Sequence, residues 1–183
     1  IYVHMGLLAS KLRGLFGPGR ESKIVIVGLS NAGKTTILYR MNLGTVVRTQ
    51  PTIGSNVEEV RHQGLSFQVW DLGGQEKMRD TWSTYFSDTD AVVFVVDSND
   101  HDNIVIAKME LFNLLLSDEL KGACIVIFAN KQDVLGCRTP AQISGDLCLV
   151  DIRSHEWHLQ SCCALSGEGL REGFDWIADR VLR

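Results

Sequence analysis

Apolar and β-branched residues fall along this chain in short runs whose period changes. Residues 91–96 (Ala-Val-Val-Phe-Val-Val) and 123–129 (Ala-Cys-Ile-Val-Ile-Phe-Ala) are apolar without alternation, which predicts strands buried on both faces over 91–97 and 124–130. Further strands are predicted over 23–29, 56–61, 65–71 and 157–162. Helical spacing occupies 34–43, 102–116 and 170–182, with a shorter piece over 140–147. Two-face-buried strands joined through helices imply an α/β architecture: a six-stranded, mostly parallel sheet with helices on both faces. Val57 and Leu65 flank a turn at His62-Gln63-Gly64, so the second and third strands form a hairpin and one strand runs antiparallel.

Ahead of the first strand, Leu8, Leu12, Leu15 and Phe16 recur at helical spacing around Lys11 and Arg13. Gly17-Pro18-Gly19 then breaks the pattern and reads as a hinge. The expected organisation is an extension over residues 1–20, with an amphipathic helix, followed by one globular domain over 21–183. The start Ile1-Tyr2-Val3-His4 is too short and polar for a secretory signal, and Met5 can be the native initiator.

Composition narrows the classes. A net charge of −4 argues against broad nucleic-acid binding, and no apolar run approaches the length of a membrane span. Five cysteines, an odd number with two of them adjacent, fit a reducing, cytoplasmic compartment better than a disulfide framework. His155, His158, Cys162 and Cys163 invite a zinc reading, but on a strand Cys163 points away from the face shared by His158 and Cys162.

The chemistry lies at the strand ends. Gly28-Leu29-Ser30-Asn31-Ala32-Gly33-Lys34-Thr35, followed by Thr36, is a phosphate-binding loop between a strand and a helix. Its glycines let backbone N–H groups curl around phosphates. Lys34 reaches the terminal phosphates, and the Thr35 hydroxyl can ligate Mg²⁺. The loop specifies a nucleoside triphosphate and leaves the base open. Asn130-Lys131-Gln132-Asp133 closes a later strand and answers for guanine, because Asp133 can accept from both N1–H and the exocyclic amine. Asp71-Leu72-Gly73-Gly74-Gln75 places a carboxylate for Mg²⁺ through water, a Gly74 N–H for the γ-phosphate and Gln75 to orient an attacking water. Pro51-Thr52-Ile53-Gly54 offers the Thr52 hydroxyl to the metal and γ-phosphate, and Cys163-Ala164-Leu165-Ser166 offers backbone N–H groups to guanine O6. A P-loop kinase or ATPase would leave Asn130 to Asp133 unexplained. A module that holds nucleotide with little hydrolysis stays open because of Ser30, although Gln75 opposes it.

Taken in order, these motifs resemble the Arf family of small GTPases over essentially the whole chain, most closely an Arf-like branch through Ser55 to Glu59 and His158 to Leu165. The resemblance implies a P-loop G domain cycling between GDP and GTP with Mg²⁺. It also implies slow hydrolysis unless a GTPase-activating protein assists, since no arginine is evident in cis, and a separate exchange factor. The expected protein is a monomer that recruits effectors to membranes, at the Golgi, in vesicle traffic. Its N-terminal helix would be released when the hairpin slides, and Gly6 would be myristoylated if Met5 is the start. Many family members carry Asp at the Ser30 position. Arf proper carries Phe at the Ser55 position, beside residues matching Trp70 and Tyr85, so the effector surface here differs in one of three places.

Overall fold

The computed structural model describes residues 21–45 and 49–182. The expected amphipathic helix, its Gly-Pro-Gly hinge and Gly6 lie outside the described residues. The elements run β1 (Glu21–Gly28), α1 (Lys34–Leu43), β2 (Ser55–His62), β3 (Leu65–Leu72), α2 (Glu76–Arg79), β4 (Ala91–Asp97), α3 (Ile104–Leu115), β5 (Cys124–Asn130), α4 (Pro140–Asp146), β6 (Trp157–Ser161) and α5 (Leu170–Val181). Short 3₁₀ turns occupy Trp82–Tyr85, Asp118–Leu120 and Leu149–Asp151.

The strands form one six-stranded sheet in the order β2-β3-β1-β4-β5-β6, parallel throughout except for the antiparallel β2–β3 pair. The expected hairpin is present. His62 pairs with Leu65, and Gln63 and Gly64 both take positive φ (50° and 78°), the two-residue turn whose twist suits a hairpin. Side chains alternate between two apolar layers. Ile24, Ile26, Val93, Val126 and Phe128 pack with Ile37 and Leu38 of α1 and Phe174 and Ile177 of α5. Val25, Val27, Phe94, Ile125 and Ile127 pack on the other face with Ile104, Ala107 and Leu111 of α3 and Ile143 of α4. Helices therefore cover both faces, which is why the central strands show no alternation in sequence.

Local chemistry sets the ends. Thr139 caps α4 reciprocally with Gln142, with Pro140 in the first turn. Helix α3 starts at Ile104 rather than 102, because the Asp100 carboxylate accepts the Asn103 N–H at 3.2 Å and holds the preceding residues in a turn. Helix α2 and the turn at Trp82–Tyr85 carry no apolar period, and only tertiary contacts account for them. Since β1 lies between β3 and β4, the connections diverge at its carboxyl end, the usual place for a ligand crevice in an open α/β sheet.

Candidate functional site

Strands β1, β3, β5 and β6 each deliver one of the sequence motifs at that edge. The loop after β1 wraps a crevice of about 130 Å³ lined by Ser30, Asn31, Gly33, Lys34, Thr35 and Thr36, by residues 49–52 and by Gly74 and Gln75. Close approach dictates its composition. A Cβ on Gly28 would lie 2.2 Å from the Val95 carbonyl oxygen, and one on Gly33 would lie 2.3 Å from Asn130 Nδ2. Asn31 and Gly33 both take positive φ (63° and 100°), turning the loop's N–H groups inward ahead of α1. Ala32 is buried beneath the loop, while Ser30 is exposed at its rim.

Lys34 is only 6% exposed and donates to the carbonyls of Gly28 (3.0 Å) and Leu29 (2.9 Å). Burial pulls its pKa down from 10.5 to about 8, against the attraction of Asp71. Asp71 is fully buried. Its Oδ2 accepts the Thr35 hydroxyl at 2.6 Å and the Thr52 hydroxyl at 3.3 Å, and the two hydroxyl oxygens lie 2.9 Å apart. Burial pushes the Asp71 carboxyl above its usual range, although the Thr35 hydroxyl, the Lys34 charge and the Thr52 hydroxyl all pull the other way. Its second oxygen, Oδ1, is buried and has no hydrogen-bond partner among the described residues. An orphaned carboxylate oxygen beside two hydroxyls is an all-oxygen donor set, the kind a hard divalent cation takes, so these residues fit Mg²⁺.

The loop after β3 presses onto the phosphate loop. Gly73 donates to the Gly54 carbonyl at 3.0 Å. A Cβ on Gly74 would meet the Gly28 carbonyl oxygen at 2.4 Å and Lys34 Nζ at 2.5 Å. Gln75 is exposed and lines the crevice. The sites expected from residues 51–54, 71–75 and 28–36 thus meet at one place.

The third group forms a separate cluster. Asn130 is 1% exposed; its Nδ2 donates to the Ala32 carbonyl (2.8 Å) and its Oδ1 accepts the Ala164 N–H (2.9 Å). Its side chain therefore ties the phosphate loop to the loop after β6, and one N–H of its amide has no partner among the described residues. Lys131, at φ 67°, is held by Asp97 at 2.6 Å. Asp133 is exposed and takes no hydrogen bond from the described residues. Of the N–H groups expected to meet guanine, Cys163 donates to the Glu168 carbonyl and Ala164 to Asn130, while the Leu165 N–H has no partner among the described residues.

Sequence reasoning missed Asp97 and Ser98. Asp97 fixes Lys131, and the Ser98 hydroxyl accepts from Gln132 Nε2 at 2.8 Å. A lone acid closing the apolar β4 was the available signal. The Trp70 and Tyr85 rings pack 5.7 Å apart, and the β2–β3 register puts Ser55, exposed Val57 and Trp70 on one face. The tempting histidines serve other ends: His155 Nε2 contacts the Leu120 carbonyl, and His158 stacks on Trp176.

A family model described as the ADP-ribosylation factor family matches residues 8–181. ADP-ribosylation factor-like protein 5A of Bos taurus is 50% identical over 177 residues, covering 97% of this chain and 98% of that one. Its Homo sapiens counterpart is 49% identical over the same span. Among solved structures, the Arl6 BBS3 small GTPase from Trypanosoma brucei with bound nucleotide analogue GppNp superposes with a TM-score of 0.83. It is 33% identical, covering 89% of this chain and 98% of that one.

Proposed function

Because the chain belongs to the ADP-ribosylation factor family, and is therefore a small GTPase that hydrolyses GTP, we propose that it is a nucleotide-controlled switch whose γ-phosphate sensors are Thr52 and Gly74. The observation that carries this reading is the convergence of Thr35, Thr52 and Asp71 within 3.3 Å, with Gly74 folded over Lys34. Two segments far apart in sequence close over the phosphate loop, and a terminal phosphate would hold both.

Lys34 and the N–H groups of residues 30–36 bind the phosphates. Thr35 and Thr52, with Asp71 behind them, would hold Mg²⁺, which would offset phosphate charge. Gln75 orients the attacking water at the mouth of the crevice. Asp133 accepts from the guanine edge with Asn130 beside it, the loop of Cys163 and Ala164 offers a backbone N–H to its oxygen, and Lys131 lies alongside under the hold of Asp97. Hydrolysis is slow unaided because no arginine among the described residues lines the crevice, so an activating protein supplies the missing cation.

The same reading extends to membranes. The GTP state recruits effectors through the face of Ser55, Trp70 and Tyr85, and an exchange factor reloads the site. The Leu8, Leu12, Leu15 and Phe16 face, with a myristoyl group on Gly6, anchors the protein to Golgi membranes for vesicle traffic. What supports this part is the family and the 5A relatives alone. The test is Gln75→Leu: it retains binding of a non-hydrolysable GTP analogue and loses hydrolysis stimulated by cell extract. Unchanged turnover sinks the Gln75 role. For the membrane part, full chain begun at Met5 and acylated sediments with anionic vesicles in GTP and stays free in GDP; equal partition in both states refutes it.

A further inference from the structure

The segment that carries Gln75 is short and has little of its own to hold it. Helix α2 is a single turn with no buried residue, closed by the Met78 and Arg79 N–H groups on the Gln75 carbonyl at 2.8 and 3.2 Å. A turn of that length does not persist unaided. On one side, the Trp82 indole N–H donates to the Gly73 carbonyl at 2.9 Å from a buried ring. On the other side the tie is Arg79. Its side chain is 12% exposed, and Nη1 lies 2.9 Å from Oε1 of Glu110 on α3, itself 22% exposed.

Packing does not fill the space around this pair. Arg79 lines a crevice of about 160 Å³ shared with Ser30, Gly74, Gln75 and Asp100, and another of about 310 Å³ shared with Trp82, Phe86 and Leu114. The ion pair thus bridges a gap between α2 and α3 that side chains leave open. Arg79 Nε and Nη1 are buried without an aligned hydrogen-bond acceptor among the described residues, so the contact with Glu110 is a charge contact of imperfect geometry. Such a pair is a poor source of stability, since desolvating a guanidinium offsets much of the attraction.

We infer that Arg79, anchored on Glu110, is a positioning residue for Gln75. The pair fixes the α2 turn against α3 and thereby sets how Gln75 is presented to the crevice. This rests on the assignment of Gln75 made above.

The test is single-turnover GTP hydrolysis, basal and extract-stimulated, in wild type, Glu110→Gln, Arg79→Ala, Gln75→Leu and the Gln75→Leu/Arg79→Ala double variant. Glu110→Gln keeps size and shape, so it decides the matter even if Arg79→Ala folds poorly. Each single change at the pair slows hydrolysis by about 10- to 100-fold, the scale of a catalytic group displaced by about 1 Å. Affinity for a non-hydrolysable GTP analogue stays within about threefold, the signature of a loss confined to the chemical step. In the Gln75→Leu background, Arg79→Ala adds no further slowing, and Arg79→Glu with Glu110→Arg recovers part of the rate. Wild-type hydrolysis in Glu110→Gln, or additive slowing in the double variant, overturns the proposal. If Gln75→Leu itself turns over normally, the Gln75 assignment falls and this inference with it. If Gln75→Leu is slow while Glu110→Gln is not, this inference alone falls.

Discussion

Asn130 and Asp133 sit three residues apart in one motif, yet the structure holds one in buried hydrogen bonds and leaves the other exposed, and their substitution separates the two effects. Asn130→Ala removes the bond to the Ala32 carbonyl (2.8 Å) and the bond from the Ala164 N–H (2.9 Å). Ala32 and Ala164 are 1% and 4% exposed, so both groups are left buried without partners. An orphaned buried group costs about 1–3 kcal/mol. Water admitted to the vacated polar space offsets part of that, and about 3 kcal/mol in total is the working figure. For a domain of this size, about 2–4 °C per kcal/mol gives a fall in melting temperature of about 6–12 °C. The effect is present without nucleotide, because neither bond involves one. Asp133→Asn removes a carboxylate that is exposed and takes no hydrogen bond from the described residues, so it leaves the melting temperature within about 2 °C. Its cost falls on guanine, with GTP affinity reduced about 100-fold, since a charge-assisted hydrogen bond is lost to an uncharged group. Calorimetric melts of nucleotide-depleted protein, paired with fluorescent-nucleotide titrations, measure both. An Asn130→Ala variant that melts as wild type but loses guanine affinity would refute the view of Asn130 as an internal tie.

Gly74→Ala places a Cβ 2.4 Å from the Gly28 carbonyl oxygen, so the loop must retreat. GTP-analogue affinity then falls toward that of GDP and single-turnover hydrolysis slows about 100-fold for a displacement of about 1 Å; equal discrimination in the variant refutes the sensor role. In the nucleotide-free protein Lys34 titrates near 8 rather than 10.5. A folded pKa below the unfolded one means that its contribution to stability is full above 10.5 and lost as pH falls through 8. Triphosphate favours the charged form, so binding takes up a proton above pH 8, and affinity falls by up to about tenfold per pH unit. Titration calorimetry at pH 9 in buffers of different ionisation enthalpy measures the uptake, and none being found refutes the coupling. Burial raises the Cys124 thiol to about 12 and Cys162 further still, while Cys137 and Cys148 are partly exposed. Iodoacetamide therefore labels Cys137 and Cys148 first by peptide mapping, and early labelling of Cys162 contradicts the packing.

Most of the candidate site was legible because it is built from backbone groups and short side chains at fixed spacing. Gly28 to Thr35 needs only a strand, a tight turn and a helix start, and all three were readable as local patterns. Asp71 could be placed because it closes an apolar strand, and Thr52 was read from the segment 51–54, which the Ser55–Leu72 pairing brings to the same edge. Local pattern could not show which loop each side chain would answer. Asn130 reads as a base contact in its own motif, and only the meeting of residues 32, 130 and 164 reveals that its amide also joins two loops. The bond from the Ala164 N–H to Asn130, which joins two loops far apart in sequence, is likewise something that spacing alone cannot register.

The same limit explains α2. Glu76 to Arg79 carries no period because none of its residues is buried, so nothing in the sequence separates it from an ordinary solvated turn. Its position is borrowed, through Trp82 from Gly73 and through Arg79 from Glu110 of α3. A segment whose place is set by others moves at low cost when those contacts change, and a switch requires this of the residues that meet a γ-phosphate. The elements least legible in the sequence are, on this argument, the ones free to respond to nucleotide. The phosphate loop is the converse case, fixed by Gly28 against Val95 and by Asn130 against Ala32, and it was readable because it does not have to move.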